Sequence, residues 1–213
     1  TSYRGYKIVS MAPAASGGLV LLQTLNILEN FNLKDSGPNS AKTIHILSEA
    51  MQRAYADRAE YHGDPDFYDV PINQILSKQY SKDLSDQISG IRTPDGQIYE
   101  GDLKKYDESP DTTHFSVIDS TGNAVSNTYT LGSSFGSGVT IKKGGFLMNN
   151  QMRNFSHFYG RDDMQYGTSE ANKLEPGKRM ISTQTPTLVF NPNGDLFMIL
   201  GSPGGGRIPN IIT

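Results

Sequence analysis

The chain has 213 residues, of which 36% are hydrophobic and 19% are charged, a composition typical of a globular domain that can bury a sizeable core. Its net charge of -3 and isoelectric point near 5.8 argue against nucleic acid or an anionic membrane as a partner. Cysteine is absent, which excludes disulfides and thiolate metal sites, and no apolar run approaches the roughly 20 residues of a membrane span.

The first half of the chain has helical periodicity. Apolar residues recur at helical spacing over Leu19 to Leu28 and again over Ala41 to Tyr61. Gly63-Asp64-Pro65 is predicted to end the second helix, and a shorter helix is expected over Ile72 to Ile88. Residues 92–111 are rich in Pro, Gly, Asp, Glu and Lys, which indicates an exposed connector where proteolytic processing would be tolerated.

After Thr112 apolar residues alternate with polar ones, which is the period of a β-strand. The strands are expected to be short, with hairpin turns at Asp119 to Asn123 and at Asn191 to Asp195. Helices in the first half and strands in the second predict an α+β fold rather than alternating βαβ units.

The junction Asp111-Thr112 carries the most specific chemistry in the sequence. A threonine freed at its amino side has a hydroxyl nucleophile and an α-amino base, whose reference pKa of about 7.7 to 8 lies near neutrality. Its β-branched side chain has few χ1 choices, so the hydroxyl is aimed at little entropic cost. Cleavage before Thr112 would therefore place nucleophile and base in one residue. The alternative is that Thr112 and Thr113 merely open a strand.

A glycine run, Gly201-Ser202-Pro203-Gly204-Gly205-Gly206-Arg207, follows the strand predicted at Leu196 to Leu200. Consecutive glycines let backbone N–H groups converge without an intervening Cβ, as in an anion nest or an oxyanion hole. The run lacks the Gly-Lys-Ser or Gly-Lys-Thr ending of a phosphate loop, and Pro203 breaks the dinucleotide fingerprint. A glycine-rich turn with only a structural role is the alternative.

Several short motifs occur along the whole chain in a fixed order. They are Ser10-Met11-Ala12-Pro13, Ser16-Gly17-Gly18, Ala54-Tyr55-Ala56-Asp57-Arg58, Gly63-Asp64-Pro65, Thr112-Thr113-His114-Phe115-Ser116-Val117, Asn149-Asn150-Gln151-Met152, Gly177-Lys178-Arg179, Thr185-Pro186-Thr187 and Gly201-Ser202-Pro203-Gly204-Gly205. In this order and spacing they resemble the γ-glutamyltransferase (γ-glutamyltranspeptidase) family of N-terminal nucleophile hydrolases.

The resemblance implies a four-layer αββα sandwich, incomplete in this chain. It also implies a precursor that cleaves itself between Asp111 and Thr112. Residues 1–111 would then be the C-terminal part of a large subunit, mainly helical and ending in the exposed connector, and residues 112–213 the N-terminal part of a small subunit, mainly strands. The expected partners are the two subunits of one precursor and a γ-glutamyl substrate. No metal or organic cofactor is expected, and the family suggests a secreted, periplasmic or cell-surface protein.

The resemblance also assigns roles to individual positions. Thr112 would be nucleophile and base, Thr130 would orient its hydroxyl, and Gly204 and Gly205 would supply the oxyanion donors. The substrate-binding positions are Ser182 and Thr183 for the α-carboxylate, with Gln151, Arg153 and Asn154 further along the site. His114 is not expected to act as a base, and the 4 histidines show no metal-ligand spacing.

Three positions depart from typical transpeptidases. Gly132 stands where they have Asn or Glu, Asn154 where they have a carboxylate, and Arg153 where Asp is frequent. Those groups normally bind the free α-ammonium of the substrate, and losing a negative charge there costs on the order of 1 to 3 kcal/mol. The sequence therefore favours a donor without that ammonium, either an internal unit of poly-γ-glutamate or a glutaryl-type (cephalosporin) side chain.

The branch of the family stays open between two patterns. Asn149 to Phe155 with Arg207-Ile208-Pro209 is similar to the capsule depolymerases, whereas the long segment Ser156 to Pro176, with Tyr159 and Tyr166, is similar to the lid of transpeptidases that act on small substrates such as glutathione. The expected function is a γ-glutamyl amide hydrolase or transferase that forms a threonine acyl-enzyme. The alternatives are a glutaryl-type acylase and an unprocessed, non-catalytic scaffold.

Overall fold

The computed structural model describes residues 1–94, 96–98, 111–156 and 169–213. The helices in these ranges are α1 (Gly17–Leu28), α2 (Leu33–Ser36), α3 (Ala41–Tyr61), α4 (Ile72–Ile75), α5 (Lys78–Asp86) and α6 (Ile208–Ile212). The strands are β1 (Ser2–Tyr3), β2 (Tyr6–Ser10), β3 (Thr113–Ile118), β4 (Ala124–Tyr129), β5 (Thr140–Ile141), β6 (Phe146–Leu147), β7 (Thr187–Phe190) and β8 (Leu196–Leu200). Short 3-10 turns lie at Gln151–Asn154, Glu170–Asn172 and Gly205–Arg207. The predicted combination of helix and sheet is confirmed.

Parts of the predicted connector and lid lie outside the described residues. These are residues 95 and 99–110 of the connector, and residues 157–168, which include His157, Tyr159 and Tyr166. None of the described helices is long and apolar enough to cross a membrane.

Helix α1 is the central element, because all 12 of its residues are buried. One side of it packs against Ile8 and Val189 of the sheet, and the other against Ile46 and Ala50 of α3. A helix that is buried all round lies inside a core rather than on a surface, which fits a sequence that is apolar or glycine except at Gln23, Thr24 and Asn26.

Local capping explains where α3 and α5 begin. Helix α3 spans the predicted Ala41 to Tyr61, and the Ser40 side chain accepts a hydrogen bond from the Thr43 amide at 3.1 Å. The predicted helix from Ile72 to Ile88 is instead divided into α4 and α5. The division falls at Ser77, whose hydroxyl accepts from the Tyr80 amide at 3.1 Å and so starts a new helix.

The main sheet joins the two halves of the chain. Its strand order is β1-β2-β7-β8, and β2 pairs with β7 in antiparallel register, with Lys7 opposite Phe190 and Ser10 opposite Thr187. The first ten residues therefore form one sheet with strands that follow the Asp111-Thr112 junction. The helical first half and the strand-rich second half share a core.

A separate hairpin, β3-β4, fixes the surroundings of Thr112. Thr113 lies opposite Tyr129, so Thr112 and Thr130 are the next residues beyond the same end of the hairpin. The predicted turn at its other end is confirmed, because the Asp119 carboxylate accepts from the amides of residues 121 and 123 at 2.8 and 2.9 Å. The second predicted turn is confirmed by the bond from the Asn191 amide to the Asp195 carbonyl, 2.9 Å.

An ion pair between a buried carboxylate and a half-exposed arginine connects two of the sequence motifs across the halves. The Asp64 carboxylate is fully buried and accepts from the amide and the Nε of Arg179 at 2.8 and 2.9 Å. These bonds from Arg179 hold the pKa of Asp64 well below its ordinary value, although burial acts in the opposite direction. The pair fixes the end of α3 to the segment that leads to Ser182.

We expect Asp64→Asn to destabilise the protein by about 1–3 kcal/mol at pH 7, because Arg179 would lose a buried charged acceptor. A carboxyl whose pKa is lowered by folding stabilises above its unfolded pKa of about 3.9 and loses that contribution as the pH falls. The difference between wild type and variant should therefore shrink at acid pH. Urea unfolding at pH 7 and at acid pH measures both effects.

The matched control is Asp66→Asn, which removes the second carboxylate bound to Arg179, 2.6 Å away and 73% exposed. An exposed ion pair contributes about 0–1 kcal/mol. Equal losses for the two variants, or a loss at Asp64 that does not depend on pH, would contradict this account of the pair.

Candidate active site

One cleft collects most of the positions that the sequence singles out. Its lining consists of Thr112, Thr130, Gly132, Gln151, Arg153, Asn154, Ser182, Thr183, Gln184, Gly205 and Ile208. Among the predicted site residues, Asp111 and Gly204 adjoin this lining in sequence without being part of it. Gln184 and Ile208 were not predicted as site residues, although each sits beside a motif that was.

The Asp111-Thr112 junction lies against the end of the β3-β4 hairpin. The Thr130 hydroxyl donates to the Asp111 carbonyl oxygen at 2.8 Å, and the Gly132 amide donates to the Thr130 hydroxyl oxygen at 2.9 Å. Ser134, which sequence reasoning missed, donates to the Asp111 carboxylate at 2.6 Å. The Asp111 carbonyl is thus already hydrogen-bonded by the Thr130 hydroxyl, which the Gly132 amide polarises.

Gln151 and Asn150 fix the backbone that carries Thr130. The Gln151 side-chain amide donates to the Thr130 carbonyl at 2.8 Å, and the Asn150 side chain accepts from the Ser133 amide at 3.0 Å. Gly132 has a φ of +94°, and a Cβ there would lie 2.0 Å from the Asn150 side-chain oxygen. Gly132 is therefore required by the packing of Asn150, and a larger side chain would displace it.

Arg153 gives the cleft a positive lining, and its neighbour Asn154 is neutral. Asn154 is 8% exposed and its side-chain amide donates to the Ile181 carbonyl at 3.2 Å, while Arg153 contacts the Ser133 hydroxyl at 3.3 Å. Among the described lining residues, Arg153 carries the one formal charge. Such a lining favours an anionic group over an ammonium.

The predicted carboxylate-binding pair is fixed by the start of α1. The Ser182 carbonyl accepts from the amides of Ser16 and Gly17 at 2.6 and 3.3 Å and from the Ser16 hydroxyl at 2.9 Å. A Cβ on Gly17 would lie 2.2 Å from the Thr185 hydroxyl, so glycine permits this close approach. The Thr183 hydroxyl donates to the Gly205 carbonyl at 2.9 Å, which joins this segment to the glycine run.

The glycine run has the conformational freedom that its sequence predicts. Gly204 and Gly205 have φ values of +140° and +56°, a region that other residues rarely adopt. The Pro203 carbonyl accepts from the Ser202 hydroxyl at 2.7 Å and the Gly204 carbonyl from the Arg207 amide at 3.1 Å. In a trans peptide the following N–H points the opposite way, so these two bonds fix the directions of the Gly204 and Gly205 amides.

His114 does not line the cleft, and both of its ring nitrogens lie close to hydroxyl groups. Its ring nitrogens lie 2.8 Å from the Thr128 hydroxyl and 3.0 Å from the Ser116 hydroxyl, and burial lowers its pKa. Its ring packs against Gly201, where a Cβ would lie 1.9 Å away. Within the described ranges no group of three or more His, Asp or Glu side chains could hold a metal ion.

Comparison with solved structures places the fold in the class of N-terminal nucleophile hydrolases. The cephalosporin acylase from Bacillus halodurans superposes with a TM-score of 0.74 at 28% identity, over 98% of this chain and 34% of the acylase. A profile of the family described as Gamma-glutamyltranspeptidase matches residues 1–213. The chain belongs to the gamma-glutamyltranspeptidase family, as its motifs indicated.

Curated relatives agree with this assignment. The glutathione hydrolase proenzyme of Escherichia coli (strain K12) is 46% identical over 209 residues, which cover 97% of this chain and 36% of the relative. The acylase ACY 1 proenzyme of Pseudomonas sp. (strain SE83) is 36% identical over 207 residues, which cover 97% of this chain and 35% of the relative. The chain thus spans little more than a third of the length of these relatives.

Proposed function

We propose that the protein cleaves its own chain between Asp111 and Thr112 and then acts as a γ-glutamyl-type amide hydrolase or transferase through a threonine acyl-enzyme. The observation that carries this proposal is the 2.8 Å hydrogen bond from the Thr130 hydroxyl, which lines the cleft, to the Asp111 carbonyl. The names of the two curated relatives, both proenzymes, support it.

The cleavage step follows from that hydrogen bond. The Thr112 hydroxyl attacks the Asp111 carbonyl carbon, and negative charge develops on the oxygen that already accepts from Thr130. The peptide C–N bond then breaks, the hydroxyl proton passes to the departing nitrogen, and an ester links Asp111 to Thr112. Water hydrolyses the ester, which leaves a carboxylate on Asp111 and a free amine and hydroxyl on Thr112. A donor aimed at the developing charge is the largest single contribution to such steps.

The acyl-transfer step uses a second pair of donors. With the Asp111 carbonyl released, the Thr130 hydroxyl becomes available to orient the Thr112 hydroxyl, whose proton the new amine removes. The Thr112 oxygen attacks the amide carbonyl of the donor, and the amides of Gly204 and Gly205 stabilise the oxyanion. The amine product leaves with a proton, and water or an acceptor amine then resolves the ester.

The proposed architecture is the four-layer αββα sandwich, with residues 1–111 and 112–213 belonging to the large and small subunits of one precursor. The pairing of β2 with β7 supports this arrangement, because strands from the two sides of the junction share one sheet. The subunits would therefore stay associated after the peptide bond is cut.

The cleft favours a donor that has a carboxylate and lacks a free α-ammonium. Arg153 supplies a cation, Gly132 leaves no room for an amine-binding side chain, and the Asn154 amide already donates to a carbonyl. Internal units of poly-γ-glutamate and glutaryl amides both meet these conditions. Glutathione-like compounds remain a second candidate because of the 46% identity with a protein named glutathione hydrolase proenzyme.

For cleavage, we expect Thr130→Val to slow the appearance of the two fragments by roughly 100-fold, the effect of losing one oxyanion donor. Thr130→Ser keeps the hydroxyl and should cleave at a rate close to wild type. Intact mass spectrometry over time measures both. Equal rates for the Val and Ser variants would contradict the role of Thr130, and a wild-type chain that stays uncut would favour the scaffold alternative.

For the donor, we expect glutaryl-p-nitroanilide to have a kcat/KM at least equal to that of γ-glutamyl-p-nitroanilide, which differs only by the α-ammonium. Arg153→Asp should shift the ratio toward the γ-glutamyl compound by about 10-fold or more, since each 1.4 kcal/mol is a factor of ten. A second assay asks whether the wild-type protein shortens poly-γ-glutamate. Its result distinguishes the polymer from glutaryl amides as the donor. Efficient turnover of the γ-glutamyl compound alone, with an untouched polymer, would show that the argument from the cleft lining is wrong.

A further inference from the structure

Helix α3 contacts segments that adjoin the cleft, through residues that do not themselves line it. The Tyr55 hydroxyl donates to the Gly206 carbonyl, 151 positions later in the chain. One turn further on, Arg58 is buried, and its Nε donates to the Ser16 hydroxyl at 2.9 Å. That hydroxyl donates to the Ser182 carbonyl, and the Arg58 guanidinium lies 5.9 Å from the centre of the Tyr55 ring.

Tyr55 completes a series of bonds along the glycine run. Four successive carbonyls, those of residues 203 to 206, each accept a hydrogen bond, and their donors in the same order are the Ser202 hydroxyl, the Arg207 amide, the Thr183 hydroxyl and the Tyr55 hydroxyl. Because each peptide unit is planar, a bound carbonyl also fixes the N–H that follows it. The Tyr55 bond to the Gly206 carbonyl therefore fixes the Arg207 amide, which in turn binds the Gly204 carbonyl and so fixes the Gly205 amide.

The fourth bond differs from the other three in what it connects. The Ser202 and Arg207 bonds lie within the run, and the Thr183 bond links the run to the segment that the start of α1 fixes. Tyr55 lies in the middle of a 21-residue helix whose Ala50 and Ala54 are fully buried. Its bond therefore sets the position of the run relative to the rigid core.

We propose that Tyr55 is a positioning residue for acyl transfer, which keeps the Gly204 and Gly205 amides aimed at the oxyanion through the Gly206 carbonyl. The inference rests on the proposed function, because it assigns those amides to the acyl-transfer step. The proposal predicts that the two reactions depend on different residues. Self-cleavage uses Thr130 as its oxyanion donor and is independent of Tyr55, whereas turnover of an amide donor depends on Tyr55.

The test is Tyr55→Phe in the full-length protein, which removes only the hydroxyl. We expect kcat for glutaryl- or γ-glutamyl-p-nitroanilide to fall about 10-fold, less than the 10²–10³ that follows the loss of a donor itself. KM should stay within about twofold, because the interaction strengthens only in the transition state. Fragment formation at Asp111-Thr112, followed by intact mass, should proceed at the wild-type rate.

Tyr61→Phe is the matched control, since Tyr61 lies on the same helix and is 37% exposed. It should leave kcat, KM and cleavage unchanged. Ser202→Ala is a second test, because the exposed Ser202 hydroxyl binds the Pro203 carbonyl of the same run, and its loss should also lower kcat without slowing cleavage.

Wild-type kcat in Tyr55→Phe would overturn the proposal, whatever the result for Ser202→Ala. So would an equal slowing of cleavage and turnover in Tyr55→Phe, which would indicate a general structural defect. A wild-type protein that cleaves but turns over neither anilide nor poly-γ-glutamate, or that does not cleave at all, would overturn the proposed function and the role of Tyr55 with it.

Discussion

The close approach of the α1 N-terminus to residues 182–185 is the constraint on which the rest of the site depends. The first amides of a helix have no partner within the helix, and here two of them bind the Ser182 carbonyl. The approach is possible because Gly17 has no side chain, and it is stabilised because all of α1 is buried. Thr183 follows Ser182 in the chain, and its hydroxyl binds the Gly205 carbonyl, so the start of α1 also helps to position the glycine run.

This arrangement separates two tasks that the same threonine would perform. The hairpin end positions Thr130 against the Asp111 carbonyl, while the glycine run, which lines the same cleft through Gly205, is fixed by α1, α3 and Thr183. One set of donors suits the internal peptide bond, and the other suits an external amide. In the proposed mechanism the two sets of donors sit on different elements, so one nucleophile would serve both reactions.

The positive lining of the cleft bears on the identity of that external amide. A cationic side chain and a sterically required glycine occupy places where an ammonium-binding group would be expected. The chain belongs to a family whose members carry names of both glutathione hydrolases and acylases. Gly132, Arg153 and Asn154 are therefore the physical basis of the proposed preference for a donor without an α-ammonium.

The sequence predicts the elements with strong local signals. Helix α3 has both a clear period and a serine cap, and the turn at Asp119 supplies its own hydrogen bonds, so both were found where expected. The division at Ser77 was missed because a cap inside an apolar pattern is a weak signal.

Contacts between distant parts of the chain could not be predicted in this way. The bonds of Ser134 to Asp111 and of Tyr55 to Gly206 depend on tertiary placement, which no local pattern encodes. The steric role of Gly132 was likewise invisible, because it arises from the side chain of Asn150.

The most direct test of the central claim is to find which residue carries the acyl group. The protein would be incubated with a slowly hydrolysed glutaryl or γ-glutamyl ester, quenched in acid, and mapped by peptide mass spectrometry. The account predicts a peptide that begins at Thr112 and bears the acyl group on that residue. An acyl group on another residue, or on a peptide in which Asp111 is still joined to Thr112, would contradict it.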